Sequence, residues 1–253
     1  MSKKKILLAG ESWVTHTTHI KGMDSFTTCS YGEGSKWLIE ALEAAGFEVE
    51  YIPNHLALTQ FPFTIGELQK FDAVILSDIG SNTLLLNDDV FVKGQAVPDR
   101  LELIRDYVEL GGGFCMVGGY MSFTGIEAKA RYNQTAIADI LPVKLLDIDD
   151  RCETCNGVIP IVVNKSSPIL KNIEGSWPLL LGYNKTIGRE NAEIPVTVNG
   201  DPLIALGEYG KGKTAVFTSD CAPHWGTTEF INWSFYQTLW ANIAEYICQG
   251  SKG

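Results

Sequence analysis

Five residues in this chain are candidate proton carriers: Glu11, His16, Tyr120, Asp220 and His224. Asp220 precedes His224 by four positions, so its carboxylate can fix the imidazole tautomer and make an acid–base couple. A second set suits the binding of a small polar ligand: Ser12, Trp13, His19, Lys21, Asp78, Asn82, Gly119, Arg151 and Trp225. Trp225 offers a flat face for a sugar or another planar group. Arg151 can grip a carboxylate or phosphate with two parallel hydrogen bonds. Gly118 and Gly119 allow close backbone approach to a ligand. Cys221 is a thiol near His224, and such a pair can make a nucleophile. Each has a plainer reading. His16 and His19 can cap a loop, Asp78, Ser81 and Asn82 can form a turn, and Asp149 to Glu153 can be a solvated charged face.

These residues matter only if the chain brings them together, and the pattern of elements says how. Lys5 to Ala9, Phe47 to Ile52, Ala73 to Leu76 and Phe114 to Val117 read as strands. Trp37, Leu38, Ala41, Leu42 and Ala45 recur at helical spacing, with Gly46 as a stop. Asp99 and Glu102 mark the start of a second helix through Leu101, Ile104 and Val108. A further helix is expected within 126–140. Strands alternating with helices imply a parallel sheet covered on both faces. In such sheets ligands bind beyond the carboxyl ends of the strands. The segments 10–34, 77–86, 118–125 and 219–226 all follow predicted strands. The first is expected to be a long loop, a length that is often functional.

The second half is richer in strands. Asn199-Gly200 is a hairpin signal between 194–198 and 203–206. Gly207 to Thr214 fits the P-loop pattern literally, but Thr214 to Thr218 reads as a strand, and that loop needs a helix there. The segment is expected to be a turn between antiparallel strands. The chain ends in a helical stripe of Trp233, Tyr236, Trp240, Ile243, Ala244 and Ile247, expected to be core or a subunit contact.

The 253 residues carry a net charge of -10 and 45% apolar residues, enough for a substantial core. An acidic chain without a basic run argues against nucleic-acid binding. No apolar run is long enough to span a bilayer, and the stretch after Lys3-Lys4-Lys5 is too short for a secretory leader. A cytoplasmic location and six reduced cysteines are therefore expected. Cys152 and Cys155 form one CxxC without the further ligands of a structural zinc site. No metal site or cofactor is assigned.

The segments Gly10–Trp13, Lys21–Asp24, Ser77–Thr83, Gly111–Gly113, Gly118–Tyr120, Asp149–Arg151, Ser219-Asp220 and Pro223–Trp225 together resemble the putative glutamine amidotransferase family of bacterial cytoplasmic proteins. The turn at Gly210–Lys213 is similar to trehalose-utilisation-type proteins of the same superfamily. The resemblance spans nearly the whole chain, 1–253, as a single domain. It implies an α/β, flavodoxin-like three-layer sandwich with a mostly parallel central sheet, plus extra antiparallel strands in the C-terminal half. Active members of the superfamily place a nucleophilic cysteine on a strand-to-helix elbow, with a later His and Glu. Here that elbow falls at Gly118-Gly119-Tyr120. Cys115 lies earlier, inside a predicted strand, and no Glu follows His224 at two residues. The expectation is a protein that binds or transforms a small polar metabolite, such as a sugar derivative, without glutaminase activity. The alternatives are a non-catalytic binding or oligomeric scaffold protein and, third, a metal-dependent hydrolase. A homo-oligomer is left open.

Overall fold

The computed structural model describes residues 3–250. Fourteen strands are assigned along them. β1 (Lys5–Gly10), β4 (Glu48–Ile52), β5 (Ala73–Ser77), β6 (Gly113–Val117), β9 (Ile161–Val162), β12 (Glu193–Val198), β13 (Asp201–Tyr209) and β14 (Gly212–Phe217) build one eight-stranded sheet in the order β4-β1-β5-β6-β14-β13-β12-β9. From β4 to β14 all neighbours are parallel. β13, β12 and β9 extend the sheet antiparallel beyond β14. Three two-stranded ribbons complete the set: β2 (Ser12–Lys21) with β3 (Asp24–Glu33), β7 (Val143–Lys144) with β11 (Ile187–Gly188), and β8 (Arg151–Val158) with β10 (Leu180–Asn184). The expected architecture of a mostly parallel sheet with added antiparallel strands is therefore present.

The strands are buried on both faces, which is why they read as continuous apolar runs. Ile6, Leu8, Ile75, Val117 and Phe217 face the helices Lys36–Ala44 and Tyr236–Ile247. Leu7, Ala9, Val74, Leu76, Met116 and Val216 face the other way, toward the helix Arg100–Glu109 and its neighbours. Asp99 caps that helix by accepting from the Leu101 and Glu102 amides. Arg100 is buried and donates to the carbonyls of Ala57, Leu58, Thr83 and Leu84. One guanidinium thus ties together the segments after β4 and β5. Gly210 lies in the turn from β13 to β14, so the P-loop-like segment is a hairpin, as its context requires.

Two expectations fail. Residues 10–34 do not form a loop. They make the long β2–β3 hairpin, turning at Gly22-Met23, with Gly22 at φ 64°. The β-branched run of Thr15, Thr17, Thr18 and Ile20 carried that signal. Residues 126–140 hold two short 3-10 turns and only the four-residue helix Ile137–Ile140. Asp149 and Asp150, from far along the chain, accept the amides of Glu127, Thr124 and Gly125, and this competes with a helix.

The C-terminal aromatic stripe is covered within the chain itself. Trp240 is fully buried and packs edge-on against Phe217 at 5.2 Å. Trp240 therefore belongs to the core. Trp240→Ala should cost about 3–5 kcal/mol of stability. Urea unfolding followed by circular dichroism measures this, and a loss under 1 kcal/mol would contradict the packing described.

Candidate functional site

The parallel strands end level with one another. Gly10 pairs with Ser77, Ser77 with Val117, and Val117 with Phe217. The residues just beyond this row are delivered to one rim, where a cleft of about 360 Å³ is lined by Glu11, Trp13, Asp78, Tyr120, Asp220, Pro223 and His224. Glu11 and Asp78 stand at the switch point, where the chain crosses from one side of β1 to the other.

Glu11 and Asp78 leave their strands in the left-handed region, at φ 49° and 44°. Each such residue costs about 1–2 kcal/mol, and such strain clusters at functional sites. Gly10 makes the Glu11 turn feasible. A Cβ at Gly10 would lie 1.8 Å from the Ser77 carbonyl oxygen. Gly119, at φ 149°, passes so close to Asp78 that a Cβ would fall 2.7 Å from Oδ1. Its amide donates to Asn184 Oδ1 at 3.0 Å, and the Met121 amide donates to Asp78 Oδ1 at 2.6 Å.

The cleft floor is acidic. Glu11 is 2% exposed and accepts the Ser77 hydroxyl at 2.5 Å. Burial, then the charges of Asp220 and Asp78, push its carboxyl well above the usual range. Asp78 is raised to about 6 by burial and by Asp220, against the opposing effect of the Met121 amide. Asp220 accepts from the Ala222 amide at 3.1 Å and meets His224 Nδ1 at 3.2 Å. That bond raises the His224 pKa despite partial burial. The ring is held edge-on to Tyr120 at 4.6 Å and stacked on Trp225 at 5.4 Å. The set can therefore supply a protonated carboxyl at Glu11 beside a carboxylate–imidazole couple.

A further layer supports this one. Tyr120 donates to Glu153 Oε1 at 2.6 Å, and Trp225 Nε1 donates to the same oxygen at 3.4 Å. Arg151 lies over the Tyr120 ring at 5.1 Å and forks onto Asp149, holding that carboxyl low. Asp150, buried, accepts Asn184 Nδ2 at 2.8 Å. The charged stretch 149–153 is thus a turn and strand that braces Tyr120. Glu153, Asp150, Asn184 and Ser77 were not singled out as site residues. Asn184 carries no local motif, and only the fold places it beneath Gly119.

Of the sequence candidates, the cleft lining unites Glu11, Trp13, Asp78, Tyr120, Asp220 and His224. The others are placed differently. Ser12 is buried, taking the backbone and side-chain amides of Asn54. His16, His19 and Lys21 lie out on the β2–β3 ribbon, with His16 bonded to Cys29 at 3.1 Å and His19 stacked on Phe26. Asn82 is exposed on the helix Ser81–Leu85. Trp225 is 2% exposed, so it supports His224 and offers no face to a ligand. Gly119 and Arg151 sit behind Asp78 and Tyr120 rather than in the lining.

Cysteine chemistry is poorly served. Cys115 is fully buried in β6, and burial pushes its thiol up to about 12. The elbow bears Gly119, and the Gly119 and Met121 amides, the donors nearest an oxyanion there, are already engaged. Cys221 is buried, and burial with the neighbouring carboxylates pushes its thiol well up. Glu11, Asp220 and Cys221 have ligand atoms within 4.8 Å of one another, the grouping among the described residues that could hold a metal ion.

The family described as putative glutamine amidotransferase matches residues 5–249, and the chain belongs to it. Cytoplasmic protein STM3548 from Salmonella typhimurium is 46% identical, with a TM-score of 0.93 over 96% of this chain and 98% of its own. Cytoplasmic protein STM1381 from Salmonella typhimurium LT2 is 47% identical, again at 0.93, over 96% and 99%. A ThuA-like protein from Bacteroides uniformis shares the fold at 12% identity and a TM-score of 0.55, over 99% and 94%. No curated protein matches the chain. No helix among the described residues is long and apolar enough to cross a membrane.

The raised Glu11, Asp78 and His224 groups all bind protons more tightly folded than unfolded. Each adds stability that is fully present below its unfolded pKa and lost as pH rises through the folded one. Stability should therefore fall across about pH 4 to 6 through Asp78, and further at higher pH through Glu11 and His224. Asp78→Asn should remove the first part of the fall, recovering about 1–3 kcal/mol at pH 7. Urea midpoints from pH 4 to 8 test this, and identical slopes in both proteins would contradict it.

Proposed function

We propose that this member of the putative glutamine amidotransferase family binds a small polyhydroxylated metabolite, such as a sugar derivative, in the strand-end cleft and moves protons on it. The observation that carries this reading is the meeting of Glu11, Asp78, Asp220 and His224 in one cleft beside two aromatic walls, Trp13 and Tyr120. Carboxylate acceptors suit hydroxyl groups, and aromatic faces suit the apolar side of a sugar ring. Asp220 orients His224, which takes or returns a proton. Glu11 stays protonated and donates to an oxygen of the ligand. Asp78 accepts a second hydroxyl. Glutamine hydrolysis is disfavoured, because the elbow bears Gly119 where a nucleophilic cysteine is needed and Cys115 is buried within β6. A cytoplasmic setting accords with the naming of the two Salmonella relatives.

Calorimetric titration with a panel of sugars, sugar acids and polyols tests the binding. One class should bind wild type and lose most of its affinity with Tyr120→Phe combined with Asp78→Asn. Where turnover of that ligand is found, Asp220→Asn and His224→Gln should each reduce it about 100-fold or more. Ammonia release from glutamine that disappears in Cys115→Ser would sink the proposal.

A further inference from the structure

We infer that the β2–β3 ribbon is an arm that docks on a second copy of this chain. The ribbon is paired without interruption from Ser12↔Glu33 to Lys21↔Asp24. Beyond Ser12 nearly all of it is exposed. It is attached near its root, where Ser12 bonds to Asn54 and Tyr31 meets His55 edge-on at 5.3 Å. A lone two-stranded hairpin is at best marginally stable in water. This one nevertheless exposes Val14, Tyr31 and Ile20 on one face, Trp13 and Phe26 on the other, and Met23 at its tip. Two apolar faces on an isolated ribbon call for a cover.

Three observations identify that cover as another copy. The first is charge. Between Ser12 and Gly32 the arm carries Lys21 and Asp24, which face each other, while the whole chain carries -10. A nucleic acid or anionic membrane would need a basic cluster, and one lysine is not one. Two acidic bodies, in contrast, can meet along a neutral strip without setting like charges together. The second is the edge. Open strands are normally protected by proline, bulges or several lysines. This arm has no proline, no register shift and one lysine, at the tip. Identical edges left open in this way can pair antiparallel about a two-fold axis. The third is size. Ten residues per strand span about 34 Å, and two strands are about 10 Å wide, so both faces give roughly 700 Å². A stable interface needs about 800 Å² per partner, more than one arm supplies, so each protomer must both extend its own arm and receive the other's, which only a second copy can do reciprocally. Trp13 at the arm's root also lines the cleft, so docking would fix one of its walls.

Sedimentation velocity on wild type and on the double variant Ile20→Asp/Phe26→Asp tests the inference. Both side chains lie outside the core, and urea unfolding of the body serves as a check on folding. Wild type should sediment as a dimer or larger homo-oligomer, and the variant should weaken self-association about 100-fold or more. Alkylation by iodoacetamide, read by mass spectrometry, gives a second measure. Cys29 on the arm should label about ten times faster in the variant than in wild type, with exposed Cys155 unchanged as the control. A monomeric wild type, assembly that survives both substitutions, or equal Cys29 labelling in the two proteins would overturn the inference.

Discussion

The alignment of four neighbouring strand ends is the constraint on which the site depends. Gly10, Ser77, Val117 and Phe217 form one row across the sheet, fixed by main-chain hydrogen bonds. Because strand side chains alternate faces, slipping one strand by a single residue would exchange the side chains fitted into the two packed layers. The register is therefore held by burial on both faces, and the site inherits its precision from the core. Glu11 and Asp78 follow the row at once, Tyr120 and Asp220 three positions later.

Crowding carboxyl groups at that rim is unfavourable, and the local structure shows how it is tolerated. Glu11, its carboxyl pushed up by burial, accepts the Ser77 hydroxyl. Asp78 takes the Met121 amide, and Asp220 takes the Ala222 amide and His224. Each acid thus has its own compensation, and burial raises Glu11 and Asp78 while Asp220 is paired with His224.

The two places where apolar groups looked spare have different fates. From Tyr236 onward the C-terminal stripe is consumed in packing against β14 and the helix Lys36–Ala44. The apolar residues of the ribbon stay exposed although their number is small. Composition cannot separate these cases, since exposure depends on whether a second layer lies over the element.

Local pattern was sufficient wherever neighbouring residues decide structure. The buried strands, the Asp99 cap, the Asn199-Gly200 turn and the hairpin at Gly210 follow from short-range sterics and apolar runs, and they were legible in advance. Knowing that strands are parallel was also enough to bring Glu11, Asp78, Tyr120, Asp220 and His224 to one edge. Tertiary structure decided the rest. It kept the start of the expected 126–140 helix from forming, through carboxylates more than 20 positions away, carried His16 and His19 out on a ribbon, and sank Trp225 beneath Tyr120. It also placed Asn184 under Gly119. Those outcomes turn on contacts between distant segments, whose energies no local spacing contains.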